Sequence, residues 1–334
     1  MVFQIRRSLF YLAILTFSLN IFGLHILHTS DDGVNVNELS LGAKVLRRAL
    51  IDAGHTVTTV VPSSNRSGCG SGVDSADGAA NFNNPFKVIQ SELISGGKNP
   101  IYKVSLRFED NTSTNPPYGA TTTTCILVGL SLLKEASVVP DIVVSGMNIG
   151  GNFGPLAINS GTVNGALVTS STLYSDTVGV SGIAVSCGAP LNEAHIPLVL
   201  ADCASFIVKL LGTLRSRGAP LLLDNVALNI NYPPVLKDKI AGVALTNQGE
   251  FFYPFPFQAG FARFKVSNPG PIIQNYVLDI ELAPLGFKPE KQHDDGTAVN
   301  NNYISITPID INLTARDKDF SMFSSLVKCL NKLY

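Results

Sequence analysis

The chain has 334 residues, with 24 Lys and Arg against 25 Asp and Glu, a formal net charge of −1, and 45% hydrophobic to 15% charged residues. That length buries a large core in one domain or two. The near-neutral balance, without a long basic run, excludes a dedicated nucleic-acid polymer surface, since phosphate tracking takes clustered Lys and Arg. A small anionic ligand stays open, because a metal or backbone N–H groups hold one without net positive charge.

Arg6 and Arg7 precede an uncharged stretch from Ser8 to Leu24. A basic start before an apolar run is the pattern of a secretory signal peptide, here over residues 1–23. The run is also near bilayer-spanning length, so an uncleaved membrane anchor is the alternative. Secretion agrees with three glycosylation sequons, Asn65-Arg66-Ser67, Asn111-Thr112-Ser113 and Asn312-Leu313-Thr314. Cys69, Cys125, Cys187, Cys203 and Cys329 include no C-x-x-C pair, which argues against a zinc or redox motif. An oxidising compartment allows one or two bridges, in pairings that the spacing leaves open.

Residues 24–29 are an apolar strand-type run that ends in Ser30-Asp31-Asp32-Gly33. Leu39, Ala43, Leu46, Leu50 and Ala53 then recur at three- and four-residue spacing and predict a helix, with Gly54 as its left-handed stop. "HTVTTVVP", residues 55–62, is rich in β-branched residues and predicts the second strand. Strand, helix and strand in this short compass make a βαβ unit and a parallel sheet. Residues 63–84, rich in Gly, Ser, Asn and Asp, read as a long loop. The alternation resumes with a helix over 123–136, a strand over 141–146, a helix from near Thr162, a strand over 182–187, a helix over 198–214 and a strand over 225–233. This is a doubly wound, mostly parallel α/β sheet, with ligands expected at the C-terminal ends of its strands. Residues 247–302 break the rhythm: "YPFPF", "NPGP" and "KQHDDGTA" surround the strand-like runs "YVLDIEL" and "YISITPI". They predict a C-terminal excursion of β-hairpins, an arm of the kind that mediates subunit exchange.

Adjacent carboxylates at the end of a buried strand repel each other. Either Asp31 caps the following helix with Asp32 near its positive end, or a cation sits between them. Three other segments reach the same sheet edge: "PSSNRSG" at 62–68, "SGMNIGGNFG" at 145–154 and "NSGTVNGA" at 159–166. Carboxylates, a hydroxyl and a side-chain amide suit a hard divalent cation, Mg²⁺, Mn²⁺ or Ca²⁺. The Gly-rich loop and the helix start at Ser160-Gly161-Thr162 offer N–H groups to a phosphate. Metal plus phosphate cradle implies metal-assisted phosphoryl chemistry. The loop lacks the G-x-G-x-x-G spacing after the first strand, so a nicotinamide enzyme is not expected. His25 and His28 flank the first strand as packing residues, and no Ser-His-Asp order stands out. A glycan on Asn65 would crowd the cleft, so that sequon is expected to stay unused.

These residues resemble the SurE-type survival proteins, a family of nucleotidases and acid phosphatases. The family's markers are a strand followed by Asn-Asp-Asp-Gly, a "P…RSG" loop, "SG-x-N-x-G-x-N" and "SGTV". The four occur here in order over residues 24–190, with a weaker match through "LNINYPP", "LTNQG" and "YISITPIDINLT". The resemblance implies a Rossmann-like α/β fold over residues 24–334. It implies hydrolysis of phosphomonoesters, commonly nucleoside 5′- and 3′-monophosphates, with one divalent cation. It also implies a homodimer or homotetramer formed through the C-terminal arm. By position, Asp31, Asp32, Ser67 and Asn148 match the metal-binding set, and Asn148, Asn152, Ser160, Gly161 and Thr162 the phosphate and substrate pocket. Asp31, Asp32 and Asn152 then form the catalytic set, with the attacking group, water or a carboxylate such as Asp31, left open. The chain departs from the family at Ser30, where Asn is usual, and at "ATTTTC", residues 120–125, where "GTPADC" is usual. Insertions at 69–84 and 107–118 resemble secreted eukaryotic members. The alternative to an enzyme is a degenerate relative that binds metal or nucleotide without turnover.

Overall fold

The structure, a computed structural model, describes residues 23–74, 86–108, 118–170, 179–249, 260–267, 277–284 and 294–311. Residues 1–22 of the expected leader over 1–23, the Asn111 and Asn312 sequons and Cys329 lie outside these residues.

Strand β1 (His25–Thr29) is followed by a small hairpin, β2 (Val34–Asn35) and β3 (Glu38–Leu39), before helix α1 (Leu41–Asp52). Strand β4 (Thr56–Pro62) completes the first βαβ unit, followed by β5 (Phe86–Ser95), β6 (Ile101–Phe108), β7 (Tyr118–Gly119) and helix α2 (Thr122–Glu135). Next come β8 (Ile142–Ile149), the short α3 (Leu156–Asn159), α4 (Gly161–Thr169), β9 (Gly182–Cys187), α5 (Ile196–Ser216) and β10 (Val226–Tyr232). The C-terminal part holds β11 (Gly242–Leu245), β12 (Gly260–Ser267), β13 (Val277–Pro284), α6 (Asp295–Asn300) and β14 (Tyr303–Asp310).

One ten-stranded sheet runs in the order β11-β14-β10-β9-β8-β1-β4-β6-β5, with β7 beside β6. Neighbours from β10 through β6 are parallel, whereas β5 and β7 run antiparallel to β6, and β14 runs antiparallel to β10 and parallel to β11. The α/β reading therefore holds, as a mixed and mostly parallel sheet.

Strand alternation feeds two cores. Ile26, Val144 and Val185 pack with Leu46 and Leu50 of α1 and with Val199, Leu200, Cys203, Ile207 and Leu211 of α5. Leu27, Val60 and Val143 face the other way, onto Cys125, Ile126 and Leu133 of α2 and Val168 of α4. Because both faces are covered, the strands read as continuous apolar runs. Leu46 is fully buried at the centre of the first core. We expect Leu46→Ala to lower unfolding free energy by about 3 kcal/mol, measured by urea denaturation at unchanged m-value.

Several details differ from the sequence expectation. Leu39 pairs with Val34 in the β2–β3 hairpin and Ala53 is exposed at the helix end, so the buried face of α1 is Gly42, Ala43, Leu46 and Leu50. The antiparallel pair β5–β6 was not anticipated; it lies at the sheet edge, where one-sided packing weakens the apolar signal. "YISITPI" does not belong to the excursion. As β14 it lies between β10 and β11 in the main sheet, antiparallel to the first and parallel to the second. Within 247–302, β12 and β13 pair with each other as a separate two-stranded sheet, and α6 follows.

Part of the expected long loop, residues 63–74, is tied down at the start of α2. Asp74 Oδ2 accepts the Thr121 N–H at 2.6 Å, and Thr124 Oγ1 accepts the Asp74 N–H at 2.8 Å. Thr121 Oγ1 donates to Gly72 O at 2.6 Å and accepts the Thr124 N–H at 3.3 Å. The unusual "ATTTTC" segment is thus a threonine-built cap whose carboxylate comes from the loop.

Candidate active site

The capping alternative for Asp31 fails at the first helix. Strands β2 and β3 intervene, and α1 starts at Leu41 with Ser40 at its cap position. Asp31 instead turns into the sheet edge, only 2% exposed. Its Oδ1 accepts the Thr162 hydroxyl at 2.9 Å, and the Thr162 N–H also faces this carboxylate. The positive end of a helix does stabilise Asp31, but the helix is α4, 131 residues away in sequence.

Gly161 makes that approach possible. A Cβ there would lie 2.8 Å from Thr122 Oγ1, 2.9 Å from Asp31 Cβ and 3.0 Å from Asp31 Oδ2. Gly33, at φ +66°, closes the turn after the aspartates with its N–H on Ser30 O at 3.2 Å. A Cβ at Gly33 would stand 2.7 Å from both Pro62 O and Ser64 O. This seats the end of β1 against the loop after β4.

Asp32 is half-buried and bonded to that loop. Asn65 Nδ2 donates to Asp32 Oδ1 at 3.2 Å, while Asn65 Oδ1 accepts the Ser67 N–H at 2.9 Å. The Arg66 N–H donates to Asp31 O at 2.7 Å. Asn65 was expected only as an unused sequon. Its amide nitrogen, the atom a glycan would take, is engaged with Asp32. With Asp32 as a cation ligand, Asn65→Ala should lower kcat/KM for a phosphomonoester about 10-fold or more, the usual cost of losing a support to such a ligand. Steady-state kinetics beside an unchanged circular dichroism spectrum checks this.

The pair is electrostatically costly. Burial raises the Asp31 carboxyl above its ordinary range, against the pull of Thr162 and nearby N–H groups. Asp32 is pushed up to about 6 by burial first and by the Asp31 charge second, with Asn65 opposing. Buried hydroxyls of Thr29, Ser30, Thr122 and Ser145 have no protein partner. Thr29 pairs in register with Ser145 of β8, Ser145 and Thr122 meet beside Gly165, and Thr122 adjoins Asp31 across Gly161.

Ser67 and Asn148 arrive at the same edge, from the β4 loop and the end of β8, the strands flanking β1. Ser67 is exposed, and Asn148 Nδ2 donates to Gly150 O at 3.0 Å, so its Oδ1 is the end left to meet a cation. Among the described residues, no three His, Cys, Asp or Glu side chains converge as a metal cage. The donor set is two carboxylates with neutral hydroxyl and amide oxygens, and it fits a hard cation. A positive ion there would relieve both the Asp31–Asp32 repulsion and the cost of burial.

Asn152 is buried in an asparagine network that the sequence reading missed. Its N–H donates to Asn231 Oδ1 at 2.7 Å, and its Nδ2 donates to Ser186 Oγ at 2.9 Å. Asn229 Nδ2 and Asn231 Nδ2 donate to Asn152 O at 2.7 and 3.2 Å. The signal was present in "LNINYPP", since two asparagines at alternate positions of a strand share one face. Ser160 caps α4 by accepting the Val163 N–H at 3.1 Å. Of the expected phosphate group, then, Thr162 supports Asp31 and Ser160 shapes the helix start. His28 is fully buried between Thr59 Oγ1 at 3.2 Å and Gly146 O at 2.6 Å, and burial lowers it to about 4, a neutral packing residue.

The chain is similar to known proteins over most of its length. Residues 26–254 match the family described as Survival protein SurE. A Nostoc protein named 5'-nucleotidase SurE is 31% identical over 296 residues, 87% of this chain and 94% of that protein. An Aliarcobacter butzleri protein of the same name is 28% identical over 299 residues, 88% of this chain and 95% of that one. The crystal structure of the SurE protein from Aquifex aeolicus superposes with a TM-score of 0.60 at 25% identity, covering 87% of this chain and 94% of that one.

Proposed function

Because the chain belongs to the SurE family, with relatives named 5'-nucleotidases, we propose that it is a metal-dependent enzyme that releases phosphate from nucleoside 5′- and 3′-monophosphates and related monoesters at the Asp31–Asp32 edge. The observation that carries the reading is the buried Asp31 carboxylate, held by Thr162 and the start of α4 with Asp32 beside it. One divalent cation, Mg²⁺, Mn²⁺ or Ca²⁺, would be held by Asp31, Asp32, Ser67 and Asn148. When bound, it supplies charge neutralisation and a water of lowered pKa.

The chain's own residues do the rest. Thr162 fixes the direction of Asp31, and Asn65 fixes Asp32 relative to Ser67. Asn152, with the Gly161 N–H at the start of α4, would hold phosphoryl oxygens as negative charge develops on them. Supports already fixed by Asn229, Asn231 and Ser186 need no reorganisation at that moment.

The same reading makes the protein a secreted one with a signal peptide over 1–23, or less favourably an anchored one. It is a glycoprotein left unglycosylated at Asn65, and a homodimer or homotetramer through the 247–302 arm. A non-catalytic nucleotide binder is the alternative, motivated by Ser30 and the altered 120–125 segment. Phosphate release from AMP and p-nitrophenyl phosphate, with Mg²⁺, Mn²⁺ or chelator, separates the two. Metal-dependent release is expected. Tight AMP binding without release would sink the hydrolase reading.

A further inference from the structure

Asp295 is 0% exposed and has no part in the site as described so far. Its carboxylate meets three N–H groups. Gly154 N lies 3.2 Å from both oxygens, Gly249 N donates to Oδ1 at 2.9 Å, and Gly296 N donates to Oδ1 at 2.8 Å. Gly249 and Asp294 flank residues 250–293 in the sequence, the stretch that includes the β12–β13 pair. The two roots touch: Asn247 and Asp294 form a parallel bridge, and the Asp295 N–H donates to Asn247 O at 2.9 Å. From the first root, Gln248 Nε2 also donates to Gly154 O at 2.9 Å. Gly154 is therefore gripped at its N–H by one root and at its C=O by the other.

Two residues earlier, Asn152 is held on its opposite side by Asn229 and Asn231 of β10. The 152–154 segment is clamped between the sheet and the roots of the excursion. A buried carboxylate is an expensive acceptor. It is suited to one task here, satisfying several N–H groups from separate segments with two oxygens. Burial raises its carboxyl, and the Gly249, Gly154 and Gly296 N–H groups oppose that.

We propose that Asp295 is a positioning residue for Asn152, fixing the 152–154 segment to both roots of the 250–293 excursion. This rests on the reading of Asn152 as a phosphate contact. The cation-holding aspartates are supported separately, by Thr162 and Asn65, so loss of the clamp should change substrate binding and leave metal binding alone.

Asp295→Asn keeps the shape and removes one acceptor oxygen. The full-length variant and wild type would be compared by amide hydrogen exchange and by kinetics on p-nitrophenyl phosphate with saturating Mn²⁺. Exchange over 150–154 should rise about 10-fold or more with β1 and β8 unchanged. KM should rise about 10-fold with a smaller change in kcat, and the thermal shift produced by Mn²⁺ should keep its wild-type size. Unchanged exchange over 150–154 overturns the proposal. So does exchange raised equally in β1 and β8, which marks a general structural role. If Asp295→Asn does not fold, Gln248→Ala decides: faster exchange over 150–154 supports the clamp, and no change overturns it. If wild type releases no phosphate, the hydrolase reading falls, while the exchange comparison still decides whether Asp295 fixes 152–154.

Discussion

Asp31→Asn is expected to lower kcat/KM for AMP about 10³-fold or more, near 4 kcal/mol of transition-state stabilisation. The substitution is close to isosteric, and the new amide oxygen still accepts the Thr162 hydroxyl, so the start of α4 keeps its cap. What disappears is a full negative charge at the most buried point of the edge. The remaining donors, Asp32 with neutral oxygens from Ser67 and Asn148, would hold a divalent cation weakly. Phosphate release with Mn²⁺ or Mg²⁺, for wild type and variant side by side, checks the expectation against melting curves of both proteins. Near-wild-type release from the folded variant would move the reactive centre away from this pair.

The second large effect is a pH-dependent stability of the metal-free protein. In the fold, Asp32 holds its proton up to about 6, against 3.8 in an open chain, and Asp31 is raised in the same direction. Between those values the folded state binds more protons than the unfolded state. Stability is therefore fully present at low pH and falls as pH rises through about 6. Asp32 is only half-buried, so after discounting for solvent screening the loss is about 1–2 kcal/mol. Melting in chelator across pH 4 to 8 should show this decline, flattened in Asp32→Asn. A divalent cation, proposed above to bind the ionised pair, should restore wild-type stability at pH 7 and do less for the variant. Chelated wild type whose melting temperature rises with pH over this window, beyond what Asp32→Asn shows, would contradict the assigned carboxyl environment.

Much of this site was legible in the chain. Asp31, Asp32, Ser67, Asn148, Asn152 and Ser160-Gly161-Thr162 sit at strand or helix ends, and strand ends follow from where apolar runs stop. Asn65, Asn229, Asn231 and Asp295 were missed because each acts through hydrogen bonds to distant segments. The Asp295 carboxylate meets Gly154 across 141 residues, a pairing that no local periodicity encodes. "HDDG" looked like turn chemistry, whereas Asp294 and Asp295 begin helix α6.

The sequence by itself determined the alternation of strands and helices, the two-sided burial of β1, β4, β8 and β9, and the kind of chemistry gathered at their ends. These depend on side-chain spacing within a few residues, where apolar periodicity and capping act. Tertiary structure alone decided that β14 inserts between β10 and β11, antiparallel to the first and parallel to the second, and that Asp31 is held by α4 rather than by the helix that follows it. It also decided that one buried carboxylate joins the Gly154 loop to the roots of the excursion. The physical reason is common to all three. Partners in a sheet or a buried polar network are selected by packing and by satisfying every buried donor and acceptor at once, and that condition exists only in the assembled fold.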